Sequence, residues 1–392
     1  MKYAFFLDSR AAILALLLCS AALTARSQSI DSVSVPYHAD SLWRTSAPGI
    51  IGLEKGGLTF YHPFEKKVIR FSPDFSEHTE SQAPDQWLLN TKMCMPADGK
   101  VIIDGNLVPL LYNILQDSKG RHYHFADLTK VGVPMVDGIH MEADPYYDTK
   151  YKRLYVSLDL RGNGKTSEAF LGVFTYKDSL FQHDTTIIGH HFGEDYPLPT
   201  ALSVTTLDTL ILAHHIYEQK VRVYHYKTFE RLDDFGELQP TMRDNFFDVS
   251  IPLSRKNSYR WRTCNTHNVG QIYNDTINER LIRVLRKPYP HGNIYDIALT
   301  KADSLNYQRI FGENAFNTIG DTLALEYAAF ERLPYFVQVY DYDFNLLREF
   351  DSPIPFNLLG NIGRTYYCYG RYDGERYWMY KWTWPKAWLS AE

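Results

Sequence analysis

Cysteine is scarce, with four in 392 residues. Cys19 lies in an N-terminal apolar stretch. Cys94, Cys264 and Cys368 remain, an odd number at wide spacing that demands no disulfide framework; they read as free thiols, with any pairing left open. Excess charge is also small. A formal net charge of −5 excludes the broad basic footprint of a nucleic-acid binder. Beyond the N-terminus no apolar run approaches the ~20 residues of a transmembrane helix. Helical periodicity is short too: its best example, Leu110–Leu115 (LLYNIL), makes one or two turns. The sequence has no HExxH, no calcium-loop pattern and no GxSxG elbow. Gly162-Asn163-Gly164 lacks the strand-to-helix context of a phosphate loop. No cofactor and no metal are expected.

The N-terminus has the form of a secretory signal. Lys2 and Arg10 precede the apolar run Ala11–Leu18, and Ala25 and Ser27 stand where a signal peptidase needs small residues. Residues 1–27 are the expected signal peptide and 28–392 a single mature domain. The alternative, lipid anchoring at Cys19, fits less well because Leu18 stands where a small residue is needed. The expected location is outside the cytoplasm, in the periplasm or at the cell surface.

Aromatic residues are abundant, with 29 Tyr and 22 Phe. Large flat side chains pack well on pleated strands, and the class read from them is all-β. The stretches Val221–Glu237 (VRVYHYKTFERLDDFGE) and Val337–Ser352 (VQVYDYDFNLLREFDS) repeat one strand–turn–strand unit. Asp208–Leu212 and Asp321–Leu325 precede them as a matching strand. Fainter copies pair Leu58–Tyr61 with Lys67–Phe71, Lys100–Asp104 with His122–Asp127, Arg153–Leu160 with Phe170–Tyr176, and Arg280–Leu285 with Ile294–Thr300. Thr365–Tyr369 and Arg376–Trp382 form the last pair. Third strands then fall near residues 69, 123, 173, 223, 297, 339 and 379, at steps close to the period of a four-stranded blade. The expectation is a closed β-propeller of seven four-stranded blades, with six as the alternative. Ile30–Pro36 supplies the missing outer strand of the last blade. Paired β-sandwiches are the competing fold.

With turns such as FSPDF, YKDSL and YDYDFN between degenerate meanders, the chain resembles the exported β-propeller families of uncharacterised function in Gram-negative envelopes. The resemblance implies a propeller near the outer membrane. It carries over no catalytic residue, because the shared features are blade turns.

Function in such folds sits on loops. The longest unpatterned one here is 237–262 (ELQPTMRDNFFDVSIPLSRKNSYRWR), an inter-blade insertion. Its end combines Tyr259, Arg260, Trp261 and Arg262, and His267 follows in the next expected inner strand. A tryptophan between arginines suits an acidic or sugar-like ligand, through stacking and bidentate contacts. The bland reading is a packed cap. His122 with His124, His190-His191, His214-His215 and His140–Asp144 have no recognised metal spacing. The function read is a non-catalytic binding or scaffolding module for a protein or glycan partner. The alternative is a polysaccharide-acting hydrolase or lyase at the channel mouth.

Overall fold

The computed structural model describes residues 29–36, 52–54, 57–62, 67–82, 91–94, 102–105, 114–116, 122–125, 140–141, 146–148, 150–159, 167–178, 180–192, 202–215, 218–243, 268–287, 334–372 and 376–390. The fold is all-β. Its strands form five sheets arranged as a propeller. One sheet is β2 (Gly52–Glu54), β3 (Gly57–His62), β4 (Lys67–Phe71) and β5 (His78–Gln82), in that order. A nine-stranded sheet joins two successive meanders. The first is β6 (Thr91–Cys94), β7 (Ile102–Gly105), β8 (Ile114–Gln116) and β9 (His122–Phe125). The second is β10 (His140–Met141) and β11 (Tyr146–Asp148), both paired to β12 (Arg153–Asp159), then β13 (Ser167–Lys177) and β14 (Leu180–Phe192). The seam is a short parallel pairing, Leu180↔His124 and Phe181↔Phe125.

Next come the three-stranded β15 (Leu202–Leu207), β16 (Leu210–His215) and β17 (Arg222–His225), and the four-stranded β18 (Asn268–Asp275), β19 (Arg280–Arg286), β20 (Tyr335–Tyr340) and β21 (Leu346–Ser352). The last sheet is β22 (Asn357–Ile362), β23 (Thr365–Tyr372) and β24 (Arg376–Thr383), completed by β1 (Ser29–Pro36). β1 pairs along β24 from Ser29↔Thr383 to Pro36↔Arg376, so the N-terminal strand takes the outer place expected of it.

The seven-blade expectation is corrected: the strands form five sheets, and these are not closed into a ring. Two misreadings account for the difference. Arg280–Leu285 does not pair with Ile294–Thr300, which lies outside the described residues. It pairs with Tyr335–Tyr340, from Leu281↔Tyr340 to Arg286↔Tyr335, so two expected blades are one sheet. A long connection costs only slightly more closure entropy than a short one. The buried faces of β19 and of β20, buried along its whole length, outweigh that cost. In the other case two expected blades share one sheet through the β14–β9 seam, and His122–Phe125 pairs on its other side with Ile114–Gln116, which overlaps the run read as helical. Short apolar runs fit either period.

Inner strands of neighbouring sheets touch in series: β11 and β12 on β15, β15 on β18, β18 on β22, and β22 on β2. A repeated motif fastens them. Tyr146-x-Asp148-Thr149-x-x-x-Arg153-Leu154 recurs as Tyr273-x-Asp275-Thr276-x-x-x-Arg280-Leu281. In both copies the aspartate folds back on its own tight turn and reaches forward to the next sheet. Asp148 accepts from Lys150 N and, at 2.8 Å, from the Thr206 hydroxyl. Asp275, fully buried, accepts from Ile277 N, Asn278 N, Asn278 Nδ2, Asn361 Nδ2 and Tyr366 OH. The tyrosines follow suit, Tyr146 OH meeting Thr206 Oγ1 and Tyr273 OH donating to Asn361 Oδ1. The arginines capture a main-chain carbonyl of the next sheet's outer region: Arg153 Nη1 that of Tyr226 at 2.6 Å, and Arg280 Nε that of Leu389 at 2.7 Å.

Candidate binding face

In an antiparallel meander, connections alternate between the two ends of the sheet. One end of these sheets is closed by tight turns with left-handed residues at Lys152, Asp178, Asp208, Glu279 and Phe344. The other end carries the connections into each inner strand and between second and third strands. At the β18–β21 sheet both of these are long. Segment 244–267 arrives at Asn268, and segment 288–333 leaves after Lys287 and returns at Pro334. Asn268 is paired with Arg286, and Arg286 with Tyr335, so both long connections open from one sheet end. Lys287 N donates to Pro334 O at 2.8 Å and pins the second at its neck.

The rim there alternates cations and rings. Arg286 lies over the Tyr335 ring at 5.7 Å and Lys287 over Phe336 at 4.7 Å. Lys287 is also ion-paired with Asp351. Tyr335 OH reaches the next sheet at Asn357 Oδ1, 3.2 Å away. Cation–ring contacts of this kind contribute about 0.5–1 kcal/mol at exposed sites.

Beneath the rim lies a buried guanidinium. Arg283, in the middle of β19, has no accessible surface. Its Nη1 donates to Gly236 O at 2.6 Å and to Gln338 Oε1 at 3.1 Å. Its Nη2 donates to Gln219 O and meets His214 Nε2 at 3.1 Å. Tyr340 OH and Glu349 hold Gln338 in turn. Gly236 has φ +87, and a Cβ there would stand 2.9 Å from Arg283 Nη1, so glycine lets the main chain approach the charge. Gln219 lies in the connection between β16 and β17, and Gly236 at the head of the long connection toward β18. Arg283 therefore ties both to β19 from below.

Of the sequence candidates, Tyr259, Arg260, Trp261, Arg262 and His267 lie outside the described residues. His267 directly precedes β18, which begins at Asn268. The insertion is described at its start, where Pro240–Arg243 forms a short helix, α1. Leu238 and Met242 are buried against Tyr155, Ile211, Leu285 and Phe336, so this part packs as a cap. Among the other histidines, His214 and His215 are buried. His122 and His124 stand two apart in β9, His140 lies in β10, and His190 and His191 lie in β14. No group of three His, Cys, Asp or Glu is placed to hold a metal among the described residues. Cys368 is a buried free thiol whose pKa burial pushes up; Cys94 lies in β6 and Cys264 outside the described residues.

Polar groups of the inner strands are largely used between sheets. Gln271 pairs its side-chain amide with the Leu358 main chain through both N and O. Ser203 Oγ accepts from Ile272 N at 3.0 Å, and Asn274 Nδ2 donates to Thr206 O. Tyr342 OH donates to Asn274 Oδ1, and burial, helped by Asp275, pushes its pKa up to about 12. Arg283 escaped the sequence reading, although an arginine centred in RLIRVL is itself a signal: a charge in a buried strand needs a built environment.

No family model matches the chain, and no curated protein matches it. Solved structures do. A member of the DUF4221 family from Bacteroides vulgatus superposes with a TM-score of 0.51 at 8% identity, covering 91% of this chain and 98% of its own. A candidate exported protein from Bacteroides fragilis aligns at 7% identity over 91% of this chain and 96% of its own, with a TM-score of 0.42. At such identity the first likeness shows the fold alone. No described helix is long and apolar enough to cross a membrane.

Proposed function

We propose that the protein is an exported, non-catalytic binding or scaffolding propeller that holds a protein or glycan partner on the face where the long connections emerge. The observation carrying this reading is the shared opening of segments 244–267 and 288–333 at the Asn268–Arg286–Tyr335 end of one sheet. Long connections on a rigid β-scaffold are where propellers place recognition. Arg286 and Lys287 with their rings give that end the cation–aromatic chemistry that Arg260, Trp261 and Arg262 bring in the adjoining segment. Export rests on the N-terminal pattern of charge, apolar run and small residues.

The test is a paired measurement. Wild type is screened against a glycan array and a panel of envelope proteins. Trp261→Ala and Arg262→Ala are then measured for affinity and melting temperature. A recognition role requires at least tenfold weaker binding, about 1.4 kcal/mol, at an unchanged melting temperature. Lower stability with unchanged binding would make the segment a packed cap and remove it from the site.

A further inference from the structure

Arg283 and His214 share a buried space in which only one of them can be charged. The side chain of His214 is fully enclosed, and its Nε2 lies 3.1 Å from Arg283 Nη2 and 3.0 Å from Glu218 O. Its Nδ1 is buried and has no hydrogen-bond partner among the described residues. Arginine does not release its proton in proteins, so the guanidinium is the permanent charge and His214 is the neutral partner beside it. A doubly protonated imidazole would set N–H against N–H and a second positive charge beside the first.

Among the described residues, the carboxylates near the pair are already engaged. Around the pair, Glu218 uses its carboxylate on Arg222, and the Glu349 carboxylate accepts from Gln338. Tyr340 OH donates to Gln338, and His215 lies alongside in β16. Lys220 and Glu237 pair with each other at the exposed edge, 3.1 Å apart.

We propose that Arg283 and His214 form an acid-released latch for the candidate binding face. At neutral pH the guanidinium holds Gln219 O and Gly236 O, and neutral His214 lies against it. On acidification His214 takes a proton only by leaving the guanidinium. The connection between β16 and β17 and the head of the long connection, 236–243, then detach from β19. The latch is a regulatory element of the binding face, and only its consequence rests on that functional reading; its own test uses no ligand.

The sign is fixed by linkage. Burial, then the neighbouring guanidinium, holds the folded His214 pKa well below 6.5. The released state has an ordinary histidine and binds the proton, so acid favours release. Below about pH 6.5 the opening equilibrium should rise about tenfold per pH unit.

Hydrogen exchange of the full chain, corrected for intrinsic rate, tests this between pH 7.5 and 5. Protection of 236–243 should fall at least tenfold while that of β22–β24 stays constant. In His214→Gln the amide can accept from Arg283 and donate to Glu218 O without titrating, so protection there should be flat with pH. Constant protection of 236–243 in wild type overturns the latch. So does an equal loss in β22–β24, or the same acid loss in His214→Gln. If that variant does not fold, the contrast between 236–243 and β22–β24 in wild type decides alone.

Discussion

At the scale of single residues, the unusual choice is phenylalanine in a left-handed turn position. Phe75, Phe229 and Phe344 have φ of 65, 59 and 66, a conformation costing a bulky residue about 1–2 kcal/mol. Each ring offsets that cost by packing across a sheet boundary. Phe344 stacks on Phe235 at 4.3 Å, Phe75 meets Tyr367 edge-on at 5.9 Å, and Phe229 lies under Arg153 at 5.3 Å. These residues stand in the turns that suggested blade repeats, yet their identity is set by the neighbouring sheet. A reversal of the usual order follows. Phe344→Ala keeps the backbone cost and loses the stacking, for a loss of roughly 2 kcal/mol from a half-buried ring. Phe344→Gly loses the same ring but relaxes the backbone, so it should be about 1 kcal/mol more stable than the alanine variant. Chemical denaturation of the two variants checks it, and an alanine variant at least as stable as the glycine one would remove the strain argument.

At the scale of elements, the strand partner of β19 carries the main lesson. Local pattern placed Ile294–Thr300 beside Arg280–Leu285 because it was near. The observed partner is distant, and it provides a fully buried strand in continuous register. The necks of the two readings differ in a way that mutagenesis can separate. Replacing 288–333 with a short glycine–serine turn between Lys287 and Pro334 should leave a folded protein, because those residues are already hydrogen-bonded at 2.8 Å. Under the seven-blade reading the same deletion would remove strands of two blades and abolish folding. Circular dichroism and a cooperative melt of the deletion variant decide between them.

At the scale of the whole molecule, the chain ends share one sheet and substitute for a turn. In the β2–β5 and β18–β21 sheets a tight turn joins the third and fourth strands and docks on the preceding sheet. In the last sheet those strands come from opposite ends of the chain, and the C-terminal tail fills the docking place. Trp384, Trp388 and Leu389 pack against Phe350 and Phe356 of the neighbouring region, and Arg280 takes the Leu389 carbonyl. β1 adds Val33 and Val35 to the cluster of Leu58, Phe60, Phe71 and Met379. Lys381 pairs with Asp31 at 3.1 Å. Deleting 29–36 therefore unpairs β24 and opens the junction with β2–β5. A buried valine alone contributes ~1.5–3 kcal/mol, so the melting temperature of the whole molecule should fall by several degrees. A melt unchanged from wild type would show β1 to be an ornament of the edge.

The sequence by itself determined the all-β class, most strand positions, and the outer strand supplied by the N-terminus. Those features depend on local alternation, aromatic content and turn chemistry, all of which act within a few residues. The Tyr-x-Asp-Thr-x-x-x-Arg-Leu pair also stands in the sequence, but its role as a fastener between sheets emerged only from the contacts of the folded chain. Other facts required the tertiary structure: which strand β19 takes as its partner, that two meanders share a seam at Leu180 and His124, and that Arg283 is enclosed by His214, Gly236, Gln219 and Gln338. Their physical reason is common. Closure entropy barely distinguishes near partners from far ones, and a buried charge is defined by carbonyls contributed from segments dozens of residues apart, so no local window of the sequence contains the interaction that decides it.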